Sequence, residues 1–209
     1  MVDRSWLSIA SDHPDRDAPL LRALADALHG AGADVVVRAG DENLVRGRRA
    51  DEPAGPPFRV IVEGLPNLLH EFVHVVQAGV VADDHGIDYG QIPFDVTTSR
   101  GRALLWDELA CCVISCAYLP RARAVDWFAE QVGIQGAFFG LGDLEVDLAP
   151  FVALVEGARA AHPGELEAVL ERAYAEVHAR LTAFADDDVA CPAVMWSFDD
   201  LWGNLRESV

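Results

Sequence analysis

The residues of this chain best suited to chemistry lie in one short run, His70-Glu71-Phe72-Val73-His74. Histidines four apart on a helix project from one face about one turn from each other, so both can bind one metal ion. The glutamate after the first can then act on a water beside that metal as a general base. Residues 67–81 (NLLHEFVHVVQAGVV) are otherwise apolar nearly all round, the mark of a buried helix. The exceptions, Asn67, His70, Glu71, His74 and Gln77, are spaced so that they share one stripe. Drying two imidazoles and a carboxylate is unfavourable unless something pairs with them. A metal ion is the partner this pattern points to, and two core histidines bonded to backbone carbonyls is the alternative.

Two histidines do not complete a site. The next long apolar stretch, residues 102–118 (RALLWDELACCVISCAY), has only Asp107 and Glu108 as acids. Helical spacing places Glu108 on a face with Leu104, Leu105, Cys111 and Cys112, where a carboxylate needs either a raised pKa or a cation. A metal on His70 and His74 would be that cation, with an ion pair to Arg100 or Arg102 as the competing explanation. His85 is an alternative third ligand. Cys112, one turn after Glu108, is a further donor, although buried cysteines more often serve as small apolar filler.

Together these residues make the chain resemble the zincin metallopeptidases of the gluzincin type, in which H-E-x-x-H on one helix is completed by a glutamate from a later helix. The resemblance covers residues 58–118: a strand, the active-site helix and a second helix. It implies His70 and His74 as zinc ligands, Glu71 as general base and Glu108 as third ligand. It also implies residues 58–63 as the sheet edge on which an extended peptide would lie. The metzincin branch requires a glycine where Gln77 stands and a histidine where Val80 stands, and is excluded.

The elements that must position these groups follow from periodicity. Strands are predicted at 5–11, 34–38 and 58–63, with a helix over 18–29 that has Pro19 in its first turn and Gly30 and Gly32 at its end. Residues 40–57 mix glycine, proline and alternating charge without a period and read as an exposed loop. Its Arg46, Arg48 and Arg49 are either an anion grip or a solvated counterweight to an acidic body. Helices are predicted over 67–81, 99–118, 121–132, 147–161, 163–185 and 197–206. The expected fold is α+β and predominantly helical, a single domain with a small N-terminal α/β sheet unit (1–63) packed on a zincin-like helical body. The polar segment 83–100 is expected to wall a cleft, with His85 and Tyr89 as donors to a developing oxyanion and Asp84 or Asp88 as residues that orient a histidine. Trp196, Phe198 and Trp202 form a terminal apolar cluster expected to dock on the body.

Composition narrows the function classes. The 209 residues carry a formal net charge of −18, and all 16 basic side chains are arginine. Nucleic acid and anionic membrane surfaces are therefore disfavoured as partners. No apolar run approaches the roughly 20 residues of a membrane span, and the first residues become charged too early for a secretory segment, so a cytoplasmic protein is expected. Cys111, Cys112, Cys116 and the remote Cys191 do not have the spacing of a disulfide framework or a zinc ribbon. The leading expectation is a zinc-dependent hydrolase of a peptide or amide bond, with a narrow peptide or small-molecule substrate. A non-haem iron(II) oxygenase on the same ligands and an inactive zincin-like binding module are the alternatives.

Overall fold

Runs of β-branched residues make the sheet. β1 (Leu7–Ile9), β2 (Ala33–Val37), β3 (Leu44–Gly47) and β4 (Phe58–Val62) assemble in the order β1-β2-β4-β3. β1, β2 and β4 are parallel, and β3 is antiparallel to β4. Two adjacent parallel strands need a crossover, and α1 (Pro19–Gly30) supplies it between β1 and β2. Its Leu21, Leu24, Ala25 and Leu28 recur at helical spacing and are buried. The computed structural model describes residues 4–40, 43–83, 95–138 and 148–207. Its chain forms two compact units, Met1–Gly86 with Ala175–Pro192, and Ile87–Tyr174 with Ala193–Val209. The fold is α+β and predominantly helical, as the periodicity predicts.

Two expectations about the sheet are overturned. β4 is not an edge strand: it pairs with β2 along Phe58–Val62 on one side and with β3 from Phe58 to Ile61 on the other. A peptide cannot add to a strand whose hydrogen-bonding groups are already used on both sides. The cause is the second correction, for residues 40–57 are not all loop. Leu44 and Val45 come back beside Ile61 and Val60 to form β3, a strand of four residues too short to show a period in a charged stretch. The arginines there are engaged by their own surroundings, with Arg48 donating to the Pro56 carbonyl at 3.4 Å. Arg46 and Arg59 both bind Glu52, at 3.2 and 2.9 Å, and Arg49 lies 3.5 Å from Asp51.

β4 leads through Glu63 and Gly64 into α2 (Leu65–Ala78), which ends at Gly79 with a left-handed φ of 72°. In the second unit α3 (Ser99–Ala117) starts at a Thr98 cap and is followed by α4 (Arg121–Phe138), six residues longer than the sequence predicts. Trp127 on α4 donates to Ser115 Oγ at 2.9 Å, and that hydroxyl donates to the Cys112 carbonyl at 3.0 Å. α5 (Ala149–Ala161) precedes α6 (Glu165–Thr182), whose residues from Ala175 belong to the first unit, as does the short α7 (Asp187–Ala190). α8 (Phe198–Arg206) closes the chain; Phe198 and Trp202 stack at 4.8 Å and both meet Phe128 edge-on, the docking expected of this terminal cluster. No helix among the described residues is long and apolar enough to cross a membrane.

One buried cation organises the start of α3. Arg102 donates from Nε and Nη2 to the Glu165 carboxylate at 2.8 and 3.1 Å, and from Nη1 to the carbonyls of Val96 and Thr97. Trp106 Nε1 donates to the same carboxylate at 3.1 Å. The turn that feeds this helix comes so close that a Cβ at Gly101 would lie 2.0 Å from the Asp95 carbonyl oxygen. Gly101→Ala is therefore expected to lower stability by roughly 1–3 kcal/mol, the usual range for overpacking, read as a lower denaturation midpoint with an unchanged slope.

Hydrogen bonds from Arg102, then from Trp106, hold the Glu165 carboxyl down at about 2 against an ordinary 4.5. A depressed carboxylate pKa adds stability above the unfolded value and loses it as pH falls through the folded one. The contribution should thus be complete above about 4.5 and gone near 2. Urea denaturation of wild type and Glu165→Gln should differ clearly at pH 6, with the gap shrinking across this window.

Candidate metal centre

The His70–His74 pair is created locally. α2 buries Leu68, Leu69, Phe72, Val73, Val75 and Val76, the apolar residues the sequence assigns to the core. Asn67, Glu71, His74 and Gln77 are half-buried along its other side, and His70 beside them is buried at 7 % exposure. The polar side chains of α2 thus share one face of the helix, with His70 the most buried of them.

On that face His70 Nε2 and His74 Nε2 lie 3.1 Å apart, with ring centroids at 4.8 Å and planes at 68°. At this separation at most one of the two nitrogens carries a proton, so at least one lone pair is directed into the space between the rings. At metal–nitrogen bonds of about 2.0–2.1 Å, two nitrogens 3.1 Å apart are close enough for both to reach one ion. Glu71 follows His70 directly and is half-buried on the same side.

In the second unit the third-ligand candidate, Glu108, is half-buried, and Leu104 on the same predicted face is 41 % exposed. The expectation of an acid enclosed by apolar neighbours is thus corrected: the face turns outward at its start. Arg102, one of its two predicted ion-pair partners, has all its guanidinium nitrogens engaged by Glu165 and by carbonyls 96 and 97. Cys111, Cys112 and Cys116 are buried and form no disulfide. Burial, then the neighbouring Glu108 carboxylate, pushes the Cys112 thiol well up, and burial pushes Cys116 to about 12. Cys112 and Cys116 are therefore protonated filler and not nucleophiles. His85, Tyr89, Asp84 and Asp88 lie outside the described residues.

Sequence reasoning missed the groups that hold α2 at its start. Asp15 Oδ2 accepts from Leu65 N at 2.9 Å, and His13 Nε2 lies 2.9 Å from the Glu63 carbonyl oxygen. Both come from a polar stretch fifty positions away with no period, and no local signal connects them to the helix.

Compared with known protein families, with curated proteins and with solved structures, the chain shows no match.

If the paired imidazoles hold a metal, zinc at 100 times its Kd should stabilise the protein by about 2.7 kcal/mol. The rise in melting temperature should disappear in His70→Ala and in His74→Ala, with zinc uptake followed in parallel by chelator competition.

Proposed function

We propose that this protein is a metal-dependent hydrolase of the H-E-x-x-H kind, acting with zinc on a peptide or amide bond. The observation that carries the reading is the convergence of two Nε2 atoms at 3.1 Å on the polar face of a buried helix, with a carboxylate at the position between them in sequence. When bound, zinc supplies Lewis acidity that polarises the carbonyl to be attacked. His70 and His74 would hold the ion through Nε2, and Glu108, half-buried on a helix whose other acid is Asp107, would be the third ligand. Glu71 takes the proton from the attacking water and passes it to the leaving nitrogen, which lets one carboxylate serve as base and then as acid.

The sheet constrains how an extended substrate binds. With β4 paired on both sides, an extended substrate does not add to it, which suits a small substrate better than a long polypeptide laid along the sheet. An iron(II) oxygenase is the second reading, favoured by the same observation, since two histidines and a carboxylate are also an iron(II) ligand set.

Glu71→Gln separates these readings. In the hydrolase it should retain wild-type zinc affinity and lose about 10²–10⁴-fold in turnover of an amide substrate in oxygen-free buffer. Turnover that requires iron(II) and oxygen, and persists in the variant, would replace the hydrolase by the oxygenase. A wild type that binds zinc but turns over nothing in either assay would indicate a binding module.

A further inference from the structure

The helix that carries the paired imidazoles is secured at its N-terminus by residues remote in sequence. α2 begins after Gly64, which has no side chain with which to cap it; its second residue is Pro66, which has no N–H; and no acidic residue stands in its first turn. Helix starts normally need such groups, because the first N–H groups have no partner within the helix. Here the acceptor comes from the loop between β1 and α1, where Asp15 Oδ2 accepts from Leu65 N at 2.9 Å. The absence of a side chain at position 64 admits the carboxylate, since a Cβ there would lie 3.1 Å from Asp15 Oδ2.

Asp15 is itself held. Its backbone N–H donates to His13 Nδ1 at 3.1 Å, and His13 Nε2 lies 2.9 Å from the Glu63 carbonyl oxygen. Because Nδ1 is the acceptor, the ring proton must sit on Nε2 and be donated to Glu63. One imidazole thus ties the residue after β4 to the loop that caps α2. Both His13 and Asp15 are half-buried.

We propose that Asp15, held by His13, is a positioning residue for the metal centre: it sets the axial register of α2 and hence where the His70–His74 pair, which moves as one, presents an ion to any ligand from outside the helix. The inference rests on the metal reading given above. His70 lies five residues beyond Leu65, roughly 7.5 Å along the helix axis, and the intervening segment is regular helix. Displacement at Leu65 is therefore transmitted to the imidazoles. Metal–ligand distances tolerate only about 0.2 Å, so a small slip of the helix is felt in the bond to any ligand outside α2.

The test uses the full chain and two probes, zinc and cobalt(II). Zinc affinity is measured by chelator competition, and the visible spectrum of the cobalt-loaded protein reports ligand geometry. Asp15→Ala is expected to weaken zinc binding by about tenfold, within the range seen when groups that orient ligands are removed, and to alter the cobalt spectrum. Asp15→Asn keeps an acceptor oxygen and should recover both. His13→Ala, which leaves the carboxylate in place but loosens it, should fall between, and it carries the test if Asp15→Ala does not fold. A lower melting temperature with wild-type zinc affinity and an unchanged cobalt spectrum would overturn the positioning role while leaving the metal centre intact. An Asp15→Asn variant as impaired as Asp15→Ala would also overturn it. A wild type that takes up neither ion overturns the metal reading, and this inference with it.

Discussion

Two imidazole nitrogens 3.1 Å apart on a helix that is otherwise buried set the terms for the first unit. Such a pair is costly to dry without a partner, so the helix must bury its apolar residues while keeping its polar groups together on one stripe. α2 does this because its apolar residues fill every helical position other than those of the stripe. Rigidity comes from both ends: the β4 strand ahead of it is paired on both sides, and Gly79 turns the chain sharply at its end. The centrality of β4 thus has two opposite effects. It removes the strand as a docking edge and makes it a firmer anchor for the helix that follows.

The same requirement, that a charge taken from water be met locally, orders the second unit by different means. Arg102 is 6 % exposed, and its guanidinium nitrogens end on the Glu165 carboxylate or on backbone carbonyls. Trp106 adds a third donor to Glu165, so the carboxylate is fixed by three hydrogen bonds and stays ionised well into acid. A buried arginine satisfied so fully is a structural clamp. The cysteines of α3 show the complementary case: for Cys112 and Cys116 burial raises the thiol pKa, and groups that look reactive in a sequence become packing.

A large part of this architecture was legible before any coordinates. The long helices are visible because apolar residues recur with the helical period over many residues, and H-E-x-x-H is visible because both imidazoles stand on one helix, where spacing alone determines that they meet. β2 and β4 were legible from their β-branched runs. β3 was not, because a strand of four residues carrying Arg46 and Gly47 has no period of its own and becomes a strand only when Ile61 and Val60 are beside it. The extra length of α4 was hidden for a related reason, since the glycines at 133 and 136 look like stop signals although the helix runs through them.

What the sequence by itself determined is whatever a single element can specify: the helical content, the buried character of α2, and the approach of His70 to His74. What only the tertiary structure decided is whatever depends on partners distant along the chain: that β4 is central, that Arg102 belongs to Glu165, and that Asp15 and His13 cap a helix fifty residues away. The physical reason is the range of the interactions. Side chains on one helix are placed by a repeating backbone geometry that spacing encodes directly. A strand edge, an ion pair or a cap supplied from another loop is satisfied by whichever group the folded chain brings within about 3 Å, the reach of a hydrogen bond, and residue order carries no record of that distance.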